Sequence, residues 1–402
     1  MEKGVTLERA IELACKTPLD RRTEIISLDS ALNRILANDL ISKVHDPPFD
    51  NSSMDGWAVK HEDCNPYGTK LKIVGTSQAG KYTSIQINHG EACRIMTGAP
   101  MPRGSDAIVI IEDTEVNDNN VIINGPARKE YIRKSGENIS KGEITLISGS
   151  VLSPSSISLS ATMGYQELEV VCKPKIAIIS NGDELIQPGL ELLDGQIYES
   201  NSFGIAALVE KMGGEPIRFG VVQDTIEGLR IALNEGANTC DAILTSGGVS
   251  MGDWDLVRKI MEEEGNIKFW RVLMRPGGPP LFGKWKNKPI FGLPGNPVSS
   301  HVVFTVLVAP WISFSLGVSK EYDNFLAHEV SVILEDPVSG APGKLCLRRI
   351  KIINREGQLV ATTHTHQGSG NIHSMVAHNG LTLLPPDSSG EVGDRVNALW
   401  FR

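Results

Sequence analysis

Apolar residues fall in two rhythms along this chain, and the rhythm changes at recognisable places. Residues 1–45 carry helical spacing, with Ala10, Ile11, Leu13 and Ala14 in one segment and Ala31, Leu32, Ile35 and Leu36 in a second. From His45-Asp46-Pro47-Pro48 to about residue 150, short β-like runs such as 71–74, 93–96 and 107–111 alternate with Gly, Pro, Asn and Asp. That spacing predicts an all-β module. A further helix is predicted from Ser153-Pro154-Ser155, where serine suits an N-cap and proline the first turn. Helical segments on either side of a β insertion predict a discontinuous, elongated helical domain over 1–45 and 141–172 around an inserted β domain over 46–140.

Past Lys173-Pro174 the pattern becomes βαβ. A buried strand at 176–179 precedes a helix over 203–212 that Gly213-Gly214 closes. A strand at 217–222, a helix over 225–234 capped by Asp224, and a strand at 242–245 follow. Such alternation predicts a doubly wound α/β domain over 173–320, with a parallel sheet that keeps its ligands beyond the strands' carboxyl ends. Residues 271–292 read as a hairpin-rich insertion, and 298–316 as a strongly apolar helix introduced by Gly292-Leu293-Pro294-Gly295-Asn296-Pro297. Short strands then return at 329–334, 345–353, 359–363, 382–384 and 395–399, predicting a C-terminal β-barrel over 321–402.

A length of 402 residues accommodates roughly three or four domains. No uninterrupted apolar run approaches the ~18–20 residues of a membrane span, and the opening MEKGVTLERA lacks the order of a secretion signal. With 39 basic against 48 acidic residues the net charge is −9, which disfavours nucleic-acid binding. Six scattered cysteines with no CxxC predict reduced thiols and a cytoplasmic protein, with neither a disulfide framework nor a zinc site.

The stretch 245–255, Thr-Ser-Gly-Gly-Val-Ser-Met-Gly-Asp-Trp-Asp, lies between an apolar strand and an amphipathic helix. Its glycines and the helix N-terminus suit a phosphate cradle, and a tight packing turn accounts for the same composition. Asp183 and Glu184 at the end of the first βαβ strand, Asp224 after the next, and Asp253 and Asp255 would gather at one sheet edge. A carboxylate cluster facing phosphate calls for a divalent cation, magnesium by preference. Asp224 read alone is equally an N-cap. Arg271 and Arg275, before the rigid Pro276-Gly277-Gly278-Pro279-Pro280, suit anion capture or an exposed strand face. Residues 292–297 open a second helix, with Ser299 and Ser300 in its first turn. The runs 50–59 and 94–100 read locally as turn chemistry. His364, His366, His373 and His378 have no acidic or cysteine partner at zinc-ligand spacing, and no P-loop, GxSxG, HExxH or GxGxxG is present.

Several of these segments, in order, resemble one family. Residues 49–59 match the pattern FDNSAMDGYA, 94–100 match RIMTGAP, and 182–185 match GDEL. Together with 195–201, 246–252, 275–279, 292–299 and 366–369, the chain resembles the MoeA type of molybdopterin molybdenumtransferase, which includes the E domain of gephyrin. The resemblance implies an elongated homodimer that uses a divalent ion such as Mg2+ to insert molybdate into adenylylated molybdopterin, yielding molybdenum cofactor and AMP. It also implies contact with a molybdopterin adenylyltransferase, and no nucleic-acid or membrane partner. Catalytic roles fall by resemblance on Asp55, Thr97, Glu184, Asp224 and Asp255, with Asp224 and Asp255 on the metal. Substrate binding falls on Ser246, Gly247, Gly248, Ser250, Gly252, Pro294, Gly295, Asn296 and Pro297, and molybdate on Arg275, Ser299, Lys344 and Ser369. Asp55 and Thr97 would complete the cleft across the dimer.

The chain also departs from the family pattern. Asn138 stands where the family has aspartate, Trp57 where it has tyrosine, and Lys344 where it has arginine. The family's KPGKP is here Arg275-Pro276-Gly277-Gly278-Pro279, one cation fewer. A lost charge-assisted contact weakens dianion binding by ~1–3 kcal/mol. The alternatives are adenylyl transfer to molybdopterin, a tungstate-selective member, and a non-catalytic pterin-binding or scaffold protein.

Overall fold

The structure, a computed structural model, describes residues 1–81, 84–249, 255–319, 326–363 and 366–401. A seven-stranded sheet forms its centre. Its strand order is Glu2–Val5, Asn266–Val272, Leu281–Trp285, Lys288–Leu293, Ala242–Ser246, Lys175–Asn181 and Glu215–Val222. The last four run parallel, as the βαβ pattern predicts. Leu281–Trp285 runs antiparallel to both neighbours, so the sheet is mixed and the expected hairpin insertion is part of it. Their apolar runs explain their burial: Ile176, Ala177, Ile178 and Ile179 are fully covered, as are Ile243 and Leu244.

Helices cover both faces. Asn201–Lys211 packs on one face, and Ile226–Thr239 with Leu256–Glu263 on the other. The second of these helices runs five residues beyond the expected 234, and its cap is Thr225, whose hydroxyl accepts from Gly228 N at 3.1 Å. Asp224 is therefore released from the capping role expected for it.

The apolar helix Pro297–Leu316 widens into a π turn over Phe304–Val308. By length and composition it would suffice to cross a membrane, contrary to the expectation drawn from uninterrupted runs. Instead, 83% of its most apolar window is buried in the core. Phe269, Phe282, Phe291 and Trp311 stack there at centroid separations of 5.7, 4.5 and 5.0 Å. Burial of each such ring contributes roughly 2–3 kcal/mol.

The chain's start belongs to this core too. Glu2–Val5 pairs in parallel with Asn266–Val272, and Leu7–Cys15 packs beneath the long helix. Trp311 Nε1 donates to Thr17 O at 3.0 Å. The expected second helix around Ala31–Leu36 is absent. After a short 3-10 turn at Leu28–Ser30, Ile35 and Leu36 bridge Val151 and Val170 instead. Strand Thr23–Ser27 pairs with Glu167–Val171, and Leu40–Ile41 with Ile144–Leu146. The expected helix at Pro154–Thr162 forms, with Ser153 as its cap.

These ribbons lead into and out of a six-stranded sheet with the order Ala107–Ile110, Gly56–Val59, Glu91–Ile95, Thr69–Ser77, Asn120–Ile123, Thr114–Asn117. Trp57 is buried there and donates from Nε1 to Thr114 Oγ1 at 3.1 Å. Asn138 donates to the Asp46 carboxylate at 3.1 Å, which an aspartate could not do in its ionised form. Five strands close the C-terminal barrel, in the order Ala327–Leu334, Gln358–Thr363, Arg349–Arg355, Gly380–Thr382, Arg395–Phe401. Leu345–Cys346 leaves the expected barrel set and pairs with Met274–Arg275 of the central domain.

Candidate functional site

Because four neighbouring strands are parallel, Asn181, Val222, Ser246 and Leu293 end at the same sheet edge. A cleft of about 730 Å3 lies beyond that edge. It is lined by Glu184, Asp224, Ser246, Gly247, Gly248, Asp255, the turn Pro294-Gly295-Asn296-Pro297 and Ser299. These eleven residues, separated by as much as 115 positions, thus share one cavity only because of the strand order. Ser250 and Gly252 of the same turn, with Asp253, lie outside the described residues, as does His364.

Local chemistry requires the glycines of the first turn. Gly247 and Gly248 adopt φ of +104° and +68°. A Cβ on Gly248 would lie 3.0 Å from Asn181 Nδ2 and 3.2 Å from Val257 N. The turn leads into the helix Leu256–Glu263, whose N-cap position is Asp255, and Arg258 N donates to Gly248 O at 3.0 Å. The second turn opens the helix at Pro297. Gly247 N donates to Leu293 O at 3.0 Å, and Ser300 Oγ donates to Pro294 O, so the two turns lie side by side.

Asn201 ties them together. Its amide nitrogen donates to Ser246 Oγ at 2.8 Å and to Gly295 O at 2.7 Å. Glu199, 1% exposed, fixes the start of that helix by accepting from Ser202 N and Ser202 Oγ, each at 2.7 Å, and from Ser180 Oγ at 3.0 Å. Arg218 stands 3.7 Å from its carboxylate. Neither Asn201 nor Glu199 is evident as a site residue from spacing, although both fall within the matched segment 195–201. Asn181, also unforeseen, donates to Asp224 Oδ1 at 3.1 Å.

Acidic side chains crowd Asp224. Burial pushes its carboxyl above the usual range, the Asn181 hydrogen bond opposes that, and Asp183, Glu184 and Asp255 push it further up. Asp183 Oδ1 also accepts from Asp224 N at 3.2 Å. Among the described residues no three His, Cys, Asp or Glu side chains form a ready-made metal cage. A cation that keeps its waters and binds one or two carboxylates plus phosphate oxygens needs no such cage. The donor set at Asp224 and Asp255 fits magnesium on those terms.

Asp55 and Thr97 meet elsewhere. Thr97 N donates to Asp55 Oδ1 at 2.9 Å at one end of the six-stranded sheet, and neither residue lines the cleft. Arg275, Lys344 and Ser369 do not line the cleft. Arg275 O accepts from Leu347 N at 2.8 Å where the barrel segment joins the central domain. Lys344 begins that segment, its N–H turned to Ala341 O at 3.3 Å. Ser369 O accepts from Val298 N at 3.1 Å, which sets Gly370 into the cleft wall beside Ser299 and Pro279.

Three family models match the chain in order. They are described as MoeA N-terminal region (domain I and II) over 5–164, probable molybdopterin binding domain over 177–313, and MoeA C-terminal region (domain IV) over 331–401. A protein of Haemophilus influenzae named molybdopterin molybdenumtransferase is 35% identical, covering 96% of this chain and 97% of its own. The Bacillus subtilis protein of that name is 31% identical over 99% of this chain and 94% of its own. A crystal structure of the molybdopterin biosynthesis MoeA protein from Pyrococcus horikoshii superposes with a TM-score of 0.84 at 31% identity, covering 99% of both chains. Matched from end to end in sequence and in fold, the chain belongs to the MoeA family.

Proposed function

We propose that this chain is a molybdopterin molybdenumtransferase: it takes adenylylated molybdopterin and molybdate and yields molybdenum cofactor and AMP. The observation that carries the reading is the cleft, where a crowded group of carboxylates faces two glycine-bearing turns, in a chain whose full-length relatives bear that name. The turns at Gly247-Gly248 and at Pro294–Pro297 supply backbone N–H groups and helix N-termini for the phosphates. Asp224 and Asp255 would hold Mg2+, which when bound offsets the charge of the phosphates and of the carboxylates around it. Asn181 keeps the Asp224 carboxylate oriented toward that position. Asn201 holds the two turns at fixed separation, so that pterin phosphate and adenylate meet both at once. Arg275, Lys344, Ser299 and Ser369 border the place where molybdate would meet the dithiolene sulfurs. In a homodimer, Asp55 and Thr97 of the second copy would close the cleft, and a molybdopterin adenylyltransferase would deliver the adenylylated substrate.

The test is AMP release from adenylylated molybdopterin by the purified chain. Release that requires both molybdate and magnesium is expected, and Asp255→Asn should lower it by about 100-fold or more. Absence of molybdate-dependent release would refute the reading. Parallel titration with tungstate identifies the preferred oxyanion.

A further inference from the structure

A second cavity, of about 450 Å3, adjoins the cleft. Ser200, Asn201, Pro297 and Ile372 line both, so one wall serves the two spaces. Its other walls are the helix Asn201–Lys211, the long apolar helix and the barrel, which contributes Leu326, Met375 and Phe401. A space of this size suits one small molecule. Leu208, Met375 and Phe401 are half-buried and packed on the central core, which anchors these walls. Leu326 is buried, and Val376, 81% exposed, marks the open side.

The cavity differs from the cleft in the sign of its charge. Glu184, Asp224 and Asp255 line the cleft. Among the described residues no acid lines the second cavity, and its ionisable groups are Lys211 and His301. That is a cationic lining in a chain of net charge −9. Lys211 is exposed in the last turn of its helix, where its ammonium can meet an anion and keep its water. His301 is enclosed: a Cβ on Gly204 would lie 2.5 Å from its Nε2. Burial pushes its imidazole below the usual range, so at neutral pH it offers an N–H without a second charge. A phosphate with its magnesium suits the acids of the cleft; one negative charge on an apolar body suits this lining.

We propose that this cavity is a second ligand site for a small apolar monoanion, an aromatic or aliphatic sulfonate or carboxylate. Its body lies between Leu208, Met375 and Phe401 with the charge toward Lys211, and its occupancy is coupled to the cleft through Asn201 and Pro297. The site is independent of the molybdenumtransferase reading, and only the coupling rests on it. Asn201 carries that coupling because its amide already ties Ser246 to Gly295, so a ligand that shifts it alters both turns.

The experiment titrates 8-anilinonaphthalene-1-sulfonate, an aromatic monoanion that fluoresces in apolar surroundings, into the purified full chain. One saturable site per chain is expected. Leu208→Trp fills the cavity and should weaken the probe about tenfold or more. Lys211→Glu, at an exposed position, reverses the charge and should weaken it about fivefold or more. Octanoate that displaces the probe supports the aliphatic half of the class, and failure to displace it overturns that half. AMP with magnesium should change the probe's affinity about fivefold or more, and the probe should change the affinity for AMP by the same factor. No saturable binding, or binding that both variants leave unchanged, overturns the site. If Leu208→Trp does not fold, Met375→Trp takes its place with the same expected loss. Binding that answers to the variants and ignores AMP overturns the coupling alone. A wild type that binds the probe and not AMP counts against the molybdenumtransferase reading and leaves the site standing.

Discussion

Gly278 is where a single substitution should improve the protein. Its φ is not in the left-handed region, unlike that of Gly277 at +87°. A Cβ there would meet Met274 O at 3.3 Å and Val272 O at 3.8 Å, a fit that needs a shift of only a few tenths of an ångström. The carbonyl of Gly278 accepts from Val272 N at 2.9 Å, a bond that any residue retains. Gly278→Lys therefore restores the family's second lysine beside Pro279, which lines the cleft. A charge-assisted contact is worth about 1.5–3 kcal/mol, and ordering a lysine side chain costs up to ~2 kcal/mol. The surplus is about 1 kcal/mol, which corresponds to roughly fivefold tighter molybdate binding. Calorimetric titration of molybdate into both proteins reads this directly. Gly277→Lys is the control, since its Cβ would lie 2.6 Å from Val303 Cγ2 at a strained φ, and it should lower the unfolding temperature without tightening the oxyanion. A folded Gly278→Lys that binds molybdate no better would show that the Arg275–Pro279 turn does not face the oxyanion.

Two other expectations rest on single groups. Asn201→Ala removes both ties between the turns and should raise the KM for the adenylylated substrate about 30-fold or more, at ~1–1.5 kcal/mol for each of the two lost hydrogen bonds; a fall in kcat alone would contradict it. Burial pushes the thiols of Cys64 and Cys93 up to about 11, so near pH 8 only ~0.1% of each is thiolate. Alkylation of the native protein should spare both and accelerate steeply as pH rises toward that value, whereas rapid labelling at neutral pH would show that they are accessible.

Much of this was legible in the sequence because it is local. Ile176–Ile179 and Ala242–Leu244 are continuous apolar runs, Ser153-Pro154 is a helix start in composition alone, and the acids follow strand ends. What escaped is long-range pairing. Ala31, Ile35 and Leu36 have helical spacing, yet Ile35 and Leu36 bridge Val151 and Val170, more than a hundred positions away, and those bridges override the local rhythm. Asp224 looked like a cap because it precedes a helix, and Thr225 took that place. Asn201 gains its meaning from a contact with Gly295, which no spacing rule connects to it.

The pairing of Val5 with Val272 has a consequence for synthesis. A nascent chain releases Glu2–Val5 and the amphipathic helix Leu7–Cys15 long before their partners leave the ribosome. The six-stranded module closes within residues 56–123 and is free to fold meanwhile. The central core must wait, its first strand unpaired until 266–272 emerges and its first helix unsheltered until the long helix 297–316 follows. Removing those first residues by proteolysis would uncover the flank of Asn266–Val272, turning a capped sheet into a surface on which two truncated copies join.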